Sequence, residues 1–449
     1  MTSPATLRTP EHQPERWRRT LQVLAVWVGA TALSFLVLRL GAQDTPATPW
    51  GQAAPTWLEH MAFWDAGWYQ RVLEEGYPAT LPTGAGGAVA NNTWAFMPLL
   101  PYLCLPLMAL GLNFYAAGAL LSLAASAGAA VVLDRWLAPR TGTRTSLWAV
   151  LLLWLSPCAP VLQVPYAESL ALLLVCAALL AAERGRFLWA APLALLAAFS
   201  RPVGVPLSAA FGLWWAWSLL SSDSVALPAW LARWRDPAAA WLPSTKQPEA
   251  EQPGTAEAYA VVVPAAKATA TQVTAPAANP GHRKPHGLLA LSILTGCAAL
   301  SWPAIAALVT GRPDAYTATE TAWRGTHLVP FMPWWDRSGY FVGAHLGPLL
   351  LLALLGLVAL ALSCRPLRCL GPAAWFWCLG YTLYLLAFFD PTTSLLRLLL
   401  PLAPLAWAAM SWLRKKPARV ALLLAAFIGQ LFWVSWVWNL GSVSIQWVP

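Results

Sequence analysis

The chain has 449 residues, 58% hydrophobic and 10% charged, against roughly a quarter charged in ordinary soluble domains, which excludes a water-facing surface over most of its length. The net charge of +9 does not signal nucleic acid, because the Lys and Arg residues stand in short clusters between apolar blocks, the pattern that orients membrane helices. The seven cysteines show neither metal-ligand nor disulfide spacing and read as buried free thiols.

Arg16, Arg18 and Arg19 lead into a first apolar block at 21–40, about the 20 residues needed to cross a hydrocarbon layer. It is too long for a signal peptide and ends without a small-residue cleavage site, so a retained span is expected. The apolar residues run continuously rather than in alternation, which argues against a β-barrel and for helices. Further spans are predicted at 113–133, 146–164, 167–182, 187–200, 203–221, 287–309, 342–362, 371–388, 395–412 and 419–440. The fold class expected is therefore an all-α polytopic membrane protein of about 11 spans. Its N-terminus (1–20) is cytoplasmic, with transmembrane modules at 21–221 and 287–449. The first outer loop covers 41–112, and a cytoplasmic loop at 222–286, rich in Ala, Pro and Thr, reads as disordered. Phe96 to Gly111 is interrupted by Pro98, Pro101 and Pro106 and is expected to form an interfacial or re-entrant helix on the outer face. With that choice, 21 of the 28 Lys and Arg residues fall on the cytoplasmic side, in keeping with the positive-inside rule.

The same threading collects polar residues at the outer ends of spans: Asp65 and Glu74 or Glu75 in the first loop, Glu168, Arg201, Glu320 with Arg324, and Asp390 with Arg397. Glu59, Glu75, Asp314 and Asp336 read as solvated acids. Glu168 opens an apolar helix with no obvious local cation, either as a helix-start carboxylate favoured by the macrodipole or as a functional group. Arg201, between Ser200 and Pro202, is either a snorkelling anchor or a ligand for an anion. In the first loop Asp65 lies among Trp64, Trp68 and Tyr69. An aromatic belt accounts for the rings, while a carboxylate held among them is expected to gain basicity through exclusion of water. Asn91-Asn92-Thr93 matches a glycosylation acceptor, His60 and His327 lack ligand-spaced partners, and no phosphate loop, HExxH or GxSxG motif occurs.

Several of these residues fall in a recognisable order. Trp64-Asp65-Ala66-Gly67-Trp68-Tyr69, Gly76-Tyr77 and Ala95-Phe96-Met97-Pro98-Leu99-Leu100-Pro101 are followed by Ser156-Pro157 and Pro165-Tyr166-Ala167-Glu168-Ser169-Leu170. Glu183-Arg184-Gly185-Arg186, Ser200-Arg201-Pro202-Val203-Gly204, Thr319-Glu320-Thr321-Ala322-Trp323-Arg324 and Ser394-Leu395-Leu396-Arg397 complete the series. Together they resemble the PIG-V family, the second mannosyltransferase of GPI-anchor assembly and its bacterial relatives, over about residues 60 to 400. Met97 stands where that family has Phe, and Val164-Pro165 replaces a more polar pair.

The resemblance implies a GT-C-type bundle and an inverting mannosyl transfer from a polyprenyl-phosphate-mannose donor to a glycolipid or lipoglycan hydroxyl, on the extracytoplasmic side of the cell membrane. Asp65 matches the family's acidic residue and is the candidate base, with Glu168 sharing that role or orienting the acceptor. Arg201, Arg324 and Arg397, in that order, are candidates for the donor phosphate. Trp64, Trp68, Tyr69, Tyr166 and Glu320 are candidate substrate contacts. No metal or cofactor is expected beyond the lipid-linked co-substrate, and the partners are the bilayer, donor and acceptor, not nucleic acid. A flippase for lipid-linked glycans and a non-catalytic membrane scaffold remain competing readings.

Overall fold

A computed structural model describes residues 13–48, 51–221, 286–324 and 329–439. The expected loop at 222–286 lies outside the described residues apart from His286, as does His327. Among the described residues the fold is all-helical, and extended pairing is limited to two isolated bridges. The helices are α1 Gln13–Gln43, α2 Trp57–Met61, α3 Asp65–Glu74, α4 Leu99–Ala109, α5 Phe114–Thr141, α6 Thr143–Trp154, α7 Glu168–Glu183, α8 Phe187–Ser200 and α9 Gly204–Leu220. The second half adds α10 His286–Thr310, α11 Ala315–Arg324, α12 Met332–Val342, α13 Gly347–Ser363, α14 Arg365–Arg368, α15 Pro372–Phe388, α16 Leu395–Leu398, α17 Pro404–Trp412 and α18 Lys416–Phe432.

Among the described residues four helical segments are long and apolar enough to cross a membrane: Glu15–Gln43, Phe114–Thr141, His286–Thr310 and Lys416–Trp438. A fifth is added if the pair Leu395–Leu402 and Pro404–Trp412, bent by 75°, counts as one broken span. The chain is thus a helical membrane protein. Shorter apolar helices, α4, α8, α9, α13 and α15, complete the bundle.

Helices form where unbroken apolar sequence leaves the backbone no partner but itself, and clustered prolines or a positive-φ glycine end several of them, although Pro106, Pro139, Pro192 and Pro303 lie inside helices. The run expected to span 146–164 ends as a helix at Trp154, and Pro157, Pro160 and Pro165 turn the remainder into a compact loop. The run expected at 342–362 starts instead at Gly347, because Gly343 takes φ 85° and separates it from α12. The bend in 395–412 lies between Pro401 and Pro404. α4 has 11 residues, about 16 Å at 1.5 Å per residue, too short to cross.

Packing is tightest among α5, α7, α8, α9, α10 and α15. Buried alanines such as Ala129, Ala171, Ala178, Ala194, Ala197, Ala210 and Ala374 let these backbones approach, the usual basis of helix association where lipid removes the hydrophobic drive. α13 does the opposite: Leu349, Leu352, Leu357 and Leu360 are all more than half exposed, as suits a helix facing acyl chains. Indole donors tie the bundle together. Trp377 Nε1 donates to the Pro401 carbonyl beside the break at 2.7 Å, and Trp154 Nε1 and Trp27 Nε1 join their helices to α5 by donating to Ser126 Oγ at 2.7 and 3.0 Å.

Candidate functional site

The site begins with the turn before α3. Trp64 adopts φ 63°, ψ −120°, a region that bulky residues avoid and that persists only when the surroundings hold it. Two bonds hold it here. Trp64 Nε1 donates to the Trp438 carbonyl at 3.1 Å, and the Asp65 amide donates to Tyr166 Oη at 3.0 Å. Tyr166 Oη in turn donates to the Phe63 carbonyl at 3.0 Å, so one buried phenol clasps both sides of the strained residue. Asp65 is thereby fixed as the first residue of α3, where the helix dipole favours a carboxylate.

Tyr166 belongs to the turn before α7, which is fixed from two sides. Ser122 Oγ of α5 donates to the Tyr166 carbonyl at 3.0 Å, and Ser169 Oγ donates to the Leu162 carbonyl at 2.7 Å. α5 passes so close that a Cβ at Gly118 would stand 2.6 Å from Pro165 Cβ. The turn delivers Glu168 to the start of α7, buried.

Arg397 arrives on the broken segment. The carbonyls freed around the break are taken by side chains: Cys158 Sγ donates to Leu396 O at 3.0 Å and Tyr381 Oη to Leu398 O at 2.9 Å. Held this way, Arg397 Nη1 lies 2.6 Å from Asp65 Oδ2 and 3.6 Å from Glu168 Oε1, with its guanidinium 5.4 Å from the centre of the Tyr166 ring. Arg201, at the end of α8, pairs through Nη1 with the same Glu168 Oε1. The result is a chain of four charges, Asp65–Arg397–Glu168–Arg201, balanced two against two and assembled from four separate parts of the sequence.

The geometry adds what the sequence left open. Glu168 has two cations beside it, both brought by tertiary structure, and Arg397, placed last among the arginine candidates, is the one that joins both carboxylates. Of the aromatic residues, Trp68 is engaged away from Asp65. Trp68 lies parallel to Phe96 at 5.8 Å, meets Trp323 edge-on at 4.9 Å and carries the Arg71 guanidinium at 4.7 Å. The nearest ionic neighbour of Asp65 is a guanidinium. Tyr69 is buried within electrostatic reach of all four charges, and burial holds its phenol well above the ordinary range, so it stays protonated.

The other candidates divide. Glu320 lies on α11, which docks onto the first loop through Trp323 and through Thr319, hydrogen-bonded to Asn92 at 3.0 Å. Arg324 ends that helix, and its side chain lies outside the described residues. Asp390 is engaged elsewhere, in a two-pronged pair with Arg337 at 2.8 and 2.9 Å. The Asn91-Asn92-Thr93 triplet has a structural role, since Asn92 caps Trp94 at 3.1 Å and Thr93 Oγ1 donates to Gly76 O at 2.7 Å. Sequence reasoning missed Tyr381, whose only signal was its place in an apolar helix facing the proline break. Among the acids read as solvated, Asp314 pairs with Arg312 at 2.8 Å and Glu59 closes a capping box with Thr56.

Chemically, the cluster offers one accessible carboxylate and two fork-shaped cations. The Asp65 side chain is 20% exposed against 3% for Glu168, so Asp65 meets an incoming molecule first. Glu168 Oε2 and Arg397 Nε are buried without a hydrogen-bond partner among the described residues, and buried polar atoms of that kind mark places where a ligand or water is needed. No family model, curated protein or solved structure matches the chain.

Proposed function

We propose that the chain is a polyprenyl-phosphate-mannose-dependent mannosyltransferase of the kind its motifs resemble, built as a GT-C-type bundle of about eleven spans. The observation that carries the reading is the joining of Asp65, Glu168 and Arg201 through Arg397. A scaffold gives no reason to collect four charges at one end of an apolar bundle, where each costs roughly 2.5–3.5 kcal/mol toward the bilayer centre. The span count is supported by the shorter helices. α9, α13 and α15 have 17 residues each, about 25 Å, a mismatch that local bilayer thinning accommodates.

In the proposed reaction an acceptor hydroxyl attacks the sugar's C1, the bond from C1 to the phosphate oxygen breaks, and polyprenyl phosphate departs. The hydroxyl proton passes to Asp65. For that transfer Asp65 must be released from Arg397, and an incoming phosphate supplies the means, because it competes with the carboxylates for the same guanidinium. Glu168 then keeps Arg201 and Arg397 oriented rather than touching the acceptor.

One observation favours the second reading, a flippase for lipid-linked glycans: the 75° break beside Arg397, since discontinuous helices line the binding sites of many transporters. Purified protein in vesicles, given a synthetic polyprenyl-phosphate-[14C]mannose and a glycolipid acceptor, separates the two. Formation of a mannosylated acceptor is expected, whereas movement of intact donor between leaflets without transfer would favour the flippase.

A further inference from the structure

Arg184-Gly185-Arg186 takes no part in the four-charge cluster, from which α7 separates it by 16 residues, about 24 Å at 1.5 Å per residue. The tripeptide joins α7 to α8. Gly185 takes φ 68°; its amide donates to Ala182 O at 2.9 Å and the Arg186 amide donates to Ala181 O at 2.8 Å, the paired bonds of a Schellman end. That closure leaves Arg184 and Arg186 exposed, and both line an open surface cavity of about 250 Å³ together with Ala177, Leu180, Ala181 and Trp189.

The neighbouring acid cannot neutralise them. Glu183 accepts from Trp136 Nε1 at 2.7 Å and pairs with Arg140, and among the described residues neither Arg184 nor Arg186 has a carboxylate partner. Partial burial and the adjacent cations Arg186, Arg135 and Arg16 hold the Arg184 guanidinium below its ordinary value, so the local field is positive, and Arg184 Nη2 donates only to the Arg135 carbonyl, at 3.4 Å, among the described residues. The rim is apolar and exposed: Trp189 is 71% exposed and Leu188 90%, as suits side chains in contact with lipid.

We propose that this cavity binds the phosphate of an anionic phospholipid headgroup, with Arg184 and Arg186 on the phosphate oxygens and Ala177, Leu180, Ala181 and Trp189 against the first carbons of the lipid. Guanidinium forks match phosphate oxygens, tryptophan suits the headgroup level, and basic pockets between helices are established sites for anionic lipids. The amino end of α8 adds a favourable dipole. The carboxyl end of α7 opposes with roughly half a charge, which two full cations outweigh. The inference does not depend on the transferase reading.

The test is native mass spectrometry of the full-length protein in detergent, with phosphatidylglycerol or phosphatidylcholine added. Wild type is expected to retain phosphatidylglycerol roughly tenfold more strongly, about 1.4 kcal/mol. Arg184→Gln/Arg186→Gln should lose that preference, and Arg414→Gln/Lys415→Gln, on the turn before α18, should keep it. Excess inorganic phosphate should leave the lipid bound. The proposal is overturned by a wild type without preference, by a pocket variant that keeps it, by equal loss in the control variant, or by phosphate displacing the lipid completely, which would identify a site for free phosphate. All of these substitutions are at exposed residues, and the wild-type comparison stands whether or not a variant folds.

Discussion

Asp65 owes its position to the Trp64 turn and the Tyr166 clasp, and Arg397 is its ionic partner at 2.6 Å. General-base catalysis contributes roughly 100 to 10,000-fold, so Asp65→Asn is expected to lower mannosyl transfer by that factor while membrane levels stay at wild type; unchanged turnover would remove Asp65 from the reaction. His60 presents a different kind of residue effect. It is fully buried, 2.8 Å from Asn439 Oδ1 and 3.3 Å from Thr45 Oγ1, and burial lowers its pKa to about 4, with the Asn439 bond opposing. The unfolded chain therefore binds a proton between pH 6.5 and about 4 that the folded chain does not. Stability is full above pH 6.5 and falls by about 3 kcal/mol as pH drops to about 4. Melting curves across that window should show the decline in wild type and a flatter profile in His60→Gln.

At the scale of elements, the turn between the short 3-10 segment Ala159–Gln163 and α7 is held both by its own Ser169–Leu162 bond and by α5. Gly118 is where the two touch, and a methyl group there meets Pro165 Cβ at 2.6 Å and Pro165 Cα at 3.2 Å. Overpacking of that kind costs roughly 1–3 kcal/mol. Gly118→Ala is expected to lower the melting temperature and also to reduce transfer, because Tyr166 and Glu168 move with the turn. Loss of stability at undiminished turnover would show that the site does not depend on this contact. The proline break after Arg397 is a second such device. It gives up backbone bonds within the helix, recovers them from Cys158, Trp377 and Tyr381, and so aims a short helix into the cluster.

For the whole molecule, ionic groups gather at the two ends of the bundle. At the far end from Asp65, Arg19 pairs with buried Asp134, which also accepts from Ser146 Oγ at 2.7 Å, while Trp407 Nε1 donates to Ser146 at 2.9 Å. Removing one partner from such a pair costs about 3–5 kcal/mol, so Asp134→Ala should destabilise the fold far more than Asp65→Ala, whose site is more open; equal melting temperatures for the two would contradict this. The proposed topology places the loop bearing Glu75 outside and the turn bearing Arg144 inside. In a cysteine-free background, Glu75→Cys should react with an impermeant maleimide on intact cells and Arg144→Cys only after permeabilisation. Labelling of both from one side would rule out the eleven-span arrangement.

Membrane residence and helical class were legible in the sequence, because they follow from local quantities, apolar length and absence of alternation; the proline breaks inside the runs expected at 146–164 and 395–412 were not. Asp65, Glu168 and Arg201 were legible as isolated polar residues in costly surroundings. Their connection was not. Which guanidinium meets which carboxylate depends on a 75° bend, on a close approach at Gly118 and on a phenol reaching from residue 166 to residue 65. Those are long-range contacts, and no local pattern encodes them, so only the packed bundle determines that Arg397 stands at the centre.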